Sequence, residues 1–161
     1  MPVITPFLWF DTEAEDAARF YTAVFPNSKI HKITHYGPGV PPHDPGREGT
    51  VMTVEFELDG KYFVALNGGP EPKFNHAISF SVGCKDQAEL DRYWSMLTEG
   101  GKEVACGWLT DRYGLSWQIV PEGIGDLVGG PAAKSNAMMH AMMGMVKLDI
   151  AALRRAYDGA P

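Results

Sequence analysis

CGWLTDRYGLSWQIVP, residues 106–121, decides how the chain is read. Cys106 to Leu109 lead into a turn made by Thr110, Asp111, Arg112, Tyr113 and Gly114. Leu115 to Val120 then form an apolar-rich run of aromatic and β-branched residues, which Pro121 stops. The stretch therefore predicts strand, tight turn, strand. Side chains alternate along a strand, so Ser116, Gln118 and Val120 share one face and Leu115, Trp117 and Ile119 the other. A face with two polar groups beside the turn, backed by an apolar face, suggests a sheet packed on one side and lining a small cavity on the other.

Working outward toward the N-terminus, Lys102 to Ala105 reads as a short strand, preceded by Gly100-Gly101 as a helix stop. Asp86 caps a predicted helix to Thr98, with Leu90, Tyr93, Trp94 and Leu97 on its inner face. His76 to Val82 is a predicted strand, and residues 67–75 are a loop. Thr50–Leu58 and Lys61–Leu66 alternate around Asp59-Gly60, a strong two-residue hairpin turn. Residues 37–49 are dense in Gly and Pro and read as a loop. Lys29 to Tyr36 is a polar strand, and Glu13 to Phe25 a helix capped by Asp11-Thr12 with Ala17, Phe20, Tyr21 and Val24 inward. Val3 to Phe10 is the first strand. Beyond Pro121 the reading is a short helical turn within 122–130, a methionine-rich helix from Ala133 to Val146, and a last helix, Ile150–Tyr157, capped by Asp149.

The order of these elements repeats. At an offset of 73 residues, Phe7 falls on Phe80, Arg19-Phe20-Tyr21 on Arg92-Tyr93-Trp94, and Val24 on Leu97. The hairpin from Asp59 to Leu66 corresponds to Asp111 to Gln118. A strand–helix–strand–strand–strand unit thus appears twice. Each unit leaves one sheet face uncovered, so two units, side by side or exchanged between chains, can curl around a shared cavity.

The segments ITPFLWFD with AARFY, ALNGGP with FNHAISFSV, the helix from Asp86 with GG behind it, CGWLTDRYGLSWQIVP and the tail AMMGMVKLDIAALRRAY carry a resemblance. The chain resembles the vicinal oxygen chelate superfamily (glyoxalase, extradiol dioxygenases, fosfomycin-resistance and bleomycin-binding proteins). More closely, it is similar to the PhnB-like group with the "3-demethylubiquinone-9 3-methyltransferase" domain. The resemblance implies an α+β fold: two βαβββ modules, about 1–70 and about 74–122, forming a curved mixed sheet around a cavity. A C-terminal helical extension, about 123–161, completes one domain. It also implies a homodimer. Metal-dependent members hold a divalent ion with His and Glu from repeat-related strands. The matching positions are His76, its mate Val3 or, with a one-residue slip, Ile4, then Gln118 and its mate Leu66. One imidazole, one neutral amide and two aliphatic chains make a poor ligand set, so no metal and no cofactor are expected.

The rest of the sequence narrows the function. A formal net charge of −6 without a basic run argues against nucleic-acid partners. No apolar run approaches the ~20 residues of a membrane span, and the N-terminus lacks a signal peptide's basic region. Cys84 and Cys106 sit in no CxxC pair and read as free thiols of a cytoplasmic protein. His31 and His35 read as an exposed pair, His43-Asp44 as loop residues and His140 as helix packing. The dense glycines, Gly37 and Gly39, precede loop and strand rather than a helix, against the turn that Rossmann-type methyl transfer requires. The methionine helix is outside both modules and is expected to pack on a partner chain.

The resulting expectation is a metal-free pocket for an unidentified small molecule. Phe7, Trp9, Asn67, Phe74, Ser79, Trp108 and Gln118 line it, and His76 is the candidate for acid–base catalysis. Two alternatives stay open: a metal-dependent lyase, isomerase or dioxygenase, and a resistance-type binder without turnover.

Overall fold

The computed structural model describes residues 3–39 and 45–160. The chain divides into two compact units, residues 1–74 and 75–161. His43 and Asp44 lie outside the described residues.

The first unit holds β1 (Phe7–Phe10), α1 (Ala14–Val24), β2 (Lys29–His35), β3 (Val51–Leu58) and β4 (Lys61–Asn67). Its four strands run in the order β1-β4-β3-β2, with β1 parallel to β4 and the other pairs antiparallel. Asp59 and Gly60 both take positive φ (45° and 75°), the backbone of a type I′ turn that matches the strands' own twist. Alternation in β3 sends Val54, Phe56 and Leu58 under α1, where they meet Tyr21, Ala17 and Val24. Burying each of the larger side chains contributes roughly 1.5–3 kcal/mol. The opposite face carries Phe7, Trp9, Tyr62, Val64 and Leu66, and none of the helices and strands described in this unit covers it.

The start of α1 departs from expectation. Glu13 occupies the cap position, but its side chain accepts from Thr12 N rather than from the helix, and neither Asp11 nor Thr12 caps the helix. Asn67 does so from the end of β4: its Oδ1 accepts from Ala14 N at 2.8 Å, while its Nδ2 donates to Val51 O at 3.0 Å. A cap from 53 residues away is tertiary and has no local signature.

The second unit repeats the plan with β5 (Ser79–Cys84), α2 (Gln87–Thr98), β6 (Lys102–Glu103), β7 (Trp108–Thr110) and β8 (Ser116–Pro121), in the order β5-β8-β7-β6. β5 is parallel to β8, and β6, β7 and β8 pair antiparallel. Asp86 caps α2 as its sequence predicts, accepting from Glu89 N. Leu90, Tyr93, Trp94 and Leu97 of α2 are buried with Leu115, Trp117 and Ile119, the face of β8 read as apolar. The α+β class with two βαβββ modules is what the structure shows.

Three helices follow: α3 (Ile124–Val128), α4 (Ala132–Met143) and α5 (Ile150–Asp158). α4 packs on α5 and α3 within its own unit, burying Met138 and Met142 and leaving Met143 exposed. The segment after α4 is stitched to the opening stretch of the β7 hairpin. Cys106 N donates to Met145 O and Gly107 N to Val146 O, both at 2.8 Å. Gly107 is required there: its φ is +80°, and a Cβ would meet Leu148 at 2.9 Å. Gln87 ties the same segment to α2, donating to Leu148 O at 3.1 Å and accepting from Ile150 N at 2.9 Å.

The repeat holds with one adjustment. The helices match at the offset of 73, since the buried pairs Tyr21/Trp94 and Val24/Leu97 both follow it. The first strands do not. Leu8 and Phe10 face the helix in β1, whereas Phe80 with Trp117 does so in β5. Phe7 thus matches Ser79 rather than Phe80. Leu66 and Gln118 pair with Trp9 and Ser81, which sets the strand offset at 72 (81 − 9) and makes Ile4 the mate of His76.

Candidate functional site

The site is organised by a buried carboxylate. Asp111, only 3% exposed, accepts through Oδ1 from Tyr113 N (2.8 Å) and Leu115 N (3.1 Å), and through Oδ2 from Trp117 Nε1 (2.8 Å). Gly114 closes the turn at φ +85°, donating to Asp111 O. These bonds hold the register of β7 against β8 and direct Trp117 inward. With Trp117 toward α2, alternation turns Ser116 and Gln118 to the opposite face, where Ser116 is fully buried and Gln118 half-buried.

On that face β8 lies between two neighbours. Ser79 and Ser81 of β5 pair with Ser116 and Gln118, and Trp108 of β7 stands opposite Gln118. Gln118 Nε2 donates to Ser79 Oγ at 2.8 Å. Ser116 Oγ meets His76 Nδ1 at 3.0 Å and Asn75 O at 3.5 Å. His76 is not in the strand, as its sequence predicts, but in a turn three residues before β5. The turn follows from Asn75, whose Oδ1 accepts from Ala77 N. His76, Ser79, Trp108 and Gln118 are thus brought onto one sheet face, with Ser116 and Ser81 as members the sequence analysis did not single out. Ser116 was legible by its parity with Gln118; its contact with an imidazole 40 residues away was not.

The remaining expected residues divide. Phe7, 64% exposed, and Trp9 stand on the open face of the first sheet. The Trp9 indole donates to Gly69 O at 2.8 Å and lies so close over Gly68 that a Cβ there would meet the ring at 2.3 Å. Asn67 and Phe74 do not belong with them. Asn67 sits in the helix-facing layer, its amide committed to the start of α1 beside a cleft of about 660 Å³ lined also by Asp11, Thr12, Arg47 and Thr50. Phe74 packs edge-on against buried Phe10, with centroids 5.4 Å apart. Asn67 is thus tied to the start of α1 while lining that cleft, and Phe74 is tied to the Phe10 ring.

Other titratable groups resolve as well. His31 pairs with Glu57 (2.9 Å) and stacks on Tyr62 rather than partnering His35. His140 is exposed on α4, not packed as expected. Burial, reinforced by Glu89 and Asp86, pushes the Cys84 thiol up to about 12 and disfavours its thiolate. Lys147 and Gln87, by hydrogen bonding, hold Asp91 below the ordinary carboxylate value.

A divalent ion does not fit the donors present. The imidazole offers Nδ1 to Ser116, Gln118 is a neutral amide, and the mate positions Ile4 and Leu66 carry no donor atom. Among the described residues no cluster of three or more His, Cys, Asp or Glu is placed to hold a metal.

Comparison with known proteins now decides the family. The family model described as 3-demethylubiquinone-9 3-methyltransferase matches residues 2–120. The chain belongs to this family. Within it, the PhnB protein of Bacillus cereus, described as a 3-demethylubiquinone-9 3-methyltransferase, is 33% identical, with 74% of this chain and 98% of that chain covered and a TM-score of 0.63. The protein PA1353 from Pseudomonas aeruginosa is 19% identical, with 76% and 99% covered and a TM-score of 0.63. The fosfomycin resistance protein FosX from Mesorhizobium loti, at 12% identity, 76% and 91% coverage and a TM-score of 0.53, shares the fold. A comparison with curated proteins returns no match. The chain therefore shares its fold both with a PhnB protein and with FosX, a fosfomycin resistance protein. The turns from β1 to α1 (Asp11–Glu13) and from β5 to α2 (Lys85–Asp86) contain no glycine, unlike the strand-to-helix turn of a Rossmann-type cofactor site.

Proposed function

We propose that this PhnB-like protein binds a small organic molecule on the open face of its second sheet, without a metal, and acts as a homodimer in the cytoplasm. His76, Ser79, Trp108 and Gln118 are its ligand contacts. Phe7 and Trp9 give the first unit's open face an apolar surface of its own. The observation that carries the reading is a pair of hydrogen bonds on one face, His76 with Ser116 and Gln118 with Ser79, set side by side by the β5–β8 register, with the Trp108 indole opposite Gln118. Sparse polar groups next to an aromatic wall are what small-molecule sites present. If a reaction occurs, His76 is the acid–base group. Support for self-association comes from the exposed apolar residues of the C-terminal helical segment, Val128, Met143 and Val146.

Thermal-shift screening of a metabolite library against wild type and His76→Ala tests the site. A ligand that stabilises wild type and loses at least about tenfold in affinity with His76→Ala supports it. Stoichiometric metal in protein purified without chelator, lost in that variant, would replace it with the metal-dependent alternative. A turnover assay on each ligand separates an enzyme from a sequestering binder, and light scattering reports the dimer.

A further inference from the structure

Building on the binding face proposed above, we infer that Ser116 makes His76 a standing hydrogen-bond donor, so that the site receives an acceptor oxygen of its ligand: a carboxylate, phosphonate or carbonyl.

Ser116 is fully buried, so its hydroxyl cannot turn to bulk water. Its Oγ has two neighbours, His76 Nδ1 at 3.0 Å and Asn75 O at 3.5 Å, and one proton to give. A neutral ring protonated at Nδ1 would leave the hydroxyl proton only the longer 3.5 Å contact to Asn75 O, so with a neutral ring the shorter contact takes it. Ser116 O–H donates to Nδ1, which leaves the ring proton on Nε2. With a protonated ring, Nδ1–H donates to Oγ and the hydroxyl turns to the Asn75 carbonyl, which can only accept. The buried hydroxyl stays satisfied in both states, and Nε2 carries a proton in both. Nε2 has no hydrogen-bond partner among the described residues, and His76 is exposed.

A second donor stands beside it. Ser79 pairs with Ser116 across the parallel register, and its Oγ accepts from Gln118 Nε2. The Ser79 hydroxyl proton has no partner among the described residues, so it too is available to a ligand. On β5, β7 and β8 this face holds Ser79, Ser81, Trp108, Thr110, Ser116 and Gln118, none of them acidic. Two neighbouring donors without a competing carboxylate match an acceptor oxygen.

Nitrogen-15 NMR of histidine-labelled protein tests the assignment at a pH where the ring is neutral. The expected His76 pattern is protonated Nε2 and hydrogen-bonded, unprotonated Nδ1. In Ser116→Ala the Nδ1 resonance shifts to the position of a nitrogen without a hydrogen bond. A wild-type spectrum showing protonated Nδ1 and bare Nε2 overturns the proposal, and needs no variant to fold. Titration with acetate and with methylphosphonate is expected to give saturable shifts at His76 Nε2–H and the Gln118 amide, with none from ammonium chloride. Unmoved signals with both oxyanions overturn the ligand class. A library ligand that binds at His76 through donors only, with Nε2 bare, overturns this inference while leaving the binding face standing.

Discussion

Asp111 and Trp117, six residues apart, are joined side chain to side chain by a buried 2.8 Å hydrogen bond that spans the β7–β8 turn. The same carboxylate takes two backbone N–H groups, so the turn, the strand register and the facing of Gln118 rest on one side chain. Asp111→Ala is expected to destabilise the protein by ~3 kcal/mol or more, because it strands three donors at about 1–3 kcal/mol each. Asp111→Asn is expected to cost less, since an amide oxygen still accepts from the backbone. Urea unfolding followed by circular dichroism gives both values.

Asn67 separates a packing role from a binding role. Asn67→Ala leaves Ala14 N, at the fully buried start of α1, without its acceptor. The expected loss is about 1–3 kcal/mol of stability, with ligand affinity unchanged in the remaining folded protein. Unfolding curves and ligand titration on the same samples check this. A fall in affinity without a fall in stability would return Asn67 to the pocket.

Gly68 lies under the Trp9 ring. Gly68→Ala forces the indole away and breaks its bond to Gly69 O, at a cost of about 1–3 kcal/mol. The measurement is tryptophan fluorescence, with Trp9→Phe as the reference. The emission change is expected in the Gly68→Ala protein and absent when Trp9 is already gone.

The two cysteines are expected to differ. Cys84 is buried with its thiol raised to about 12, and Cys106 is half-buried. A thiol reagent near neutral pH should label Cys106 and leave Cys84 until the protein unfolds, as mass spectrometry after digestion will show. The raised value also has a sign in stability. Above the ordinary thiol value of 9.0 the unfolded chain ionises Cys84 while the folded chain keeps its proton, so stability falls as pH rises from 9.0 toward about 12. Cys84→Ala is expected to flatten that part of the curve.

What the sequence determined by itself was local. Asp59-Gly60, the caps Asp86 and Asp149, and the buried stripes of α1 and α2 each depend on neighbours a few residues away, and the structure keeps them, except that Phe20 of the α1 stripe is only half-buried. With them came the repeat, and from the repeat the fold. The tertiary structure decided what alternation alone leaves free. A one-residue change in offset, from 73 in the helices to 72 in the first strands, reverses a strand's faces, and nothing local distinguishes the two. The tertiary contacts set Asn67 against the start of α1 and Phe74 against Phe10, and placed His76 in a turn against Ser116. Those outcomes rest on contacts between residues 40 to 64 positions apart, whose partners are chosen by packing rather than by propensity.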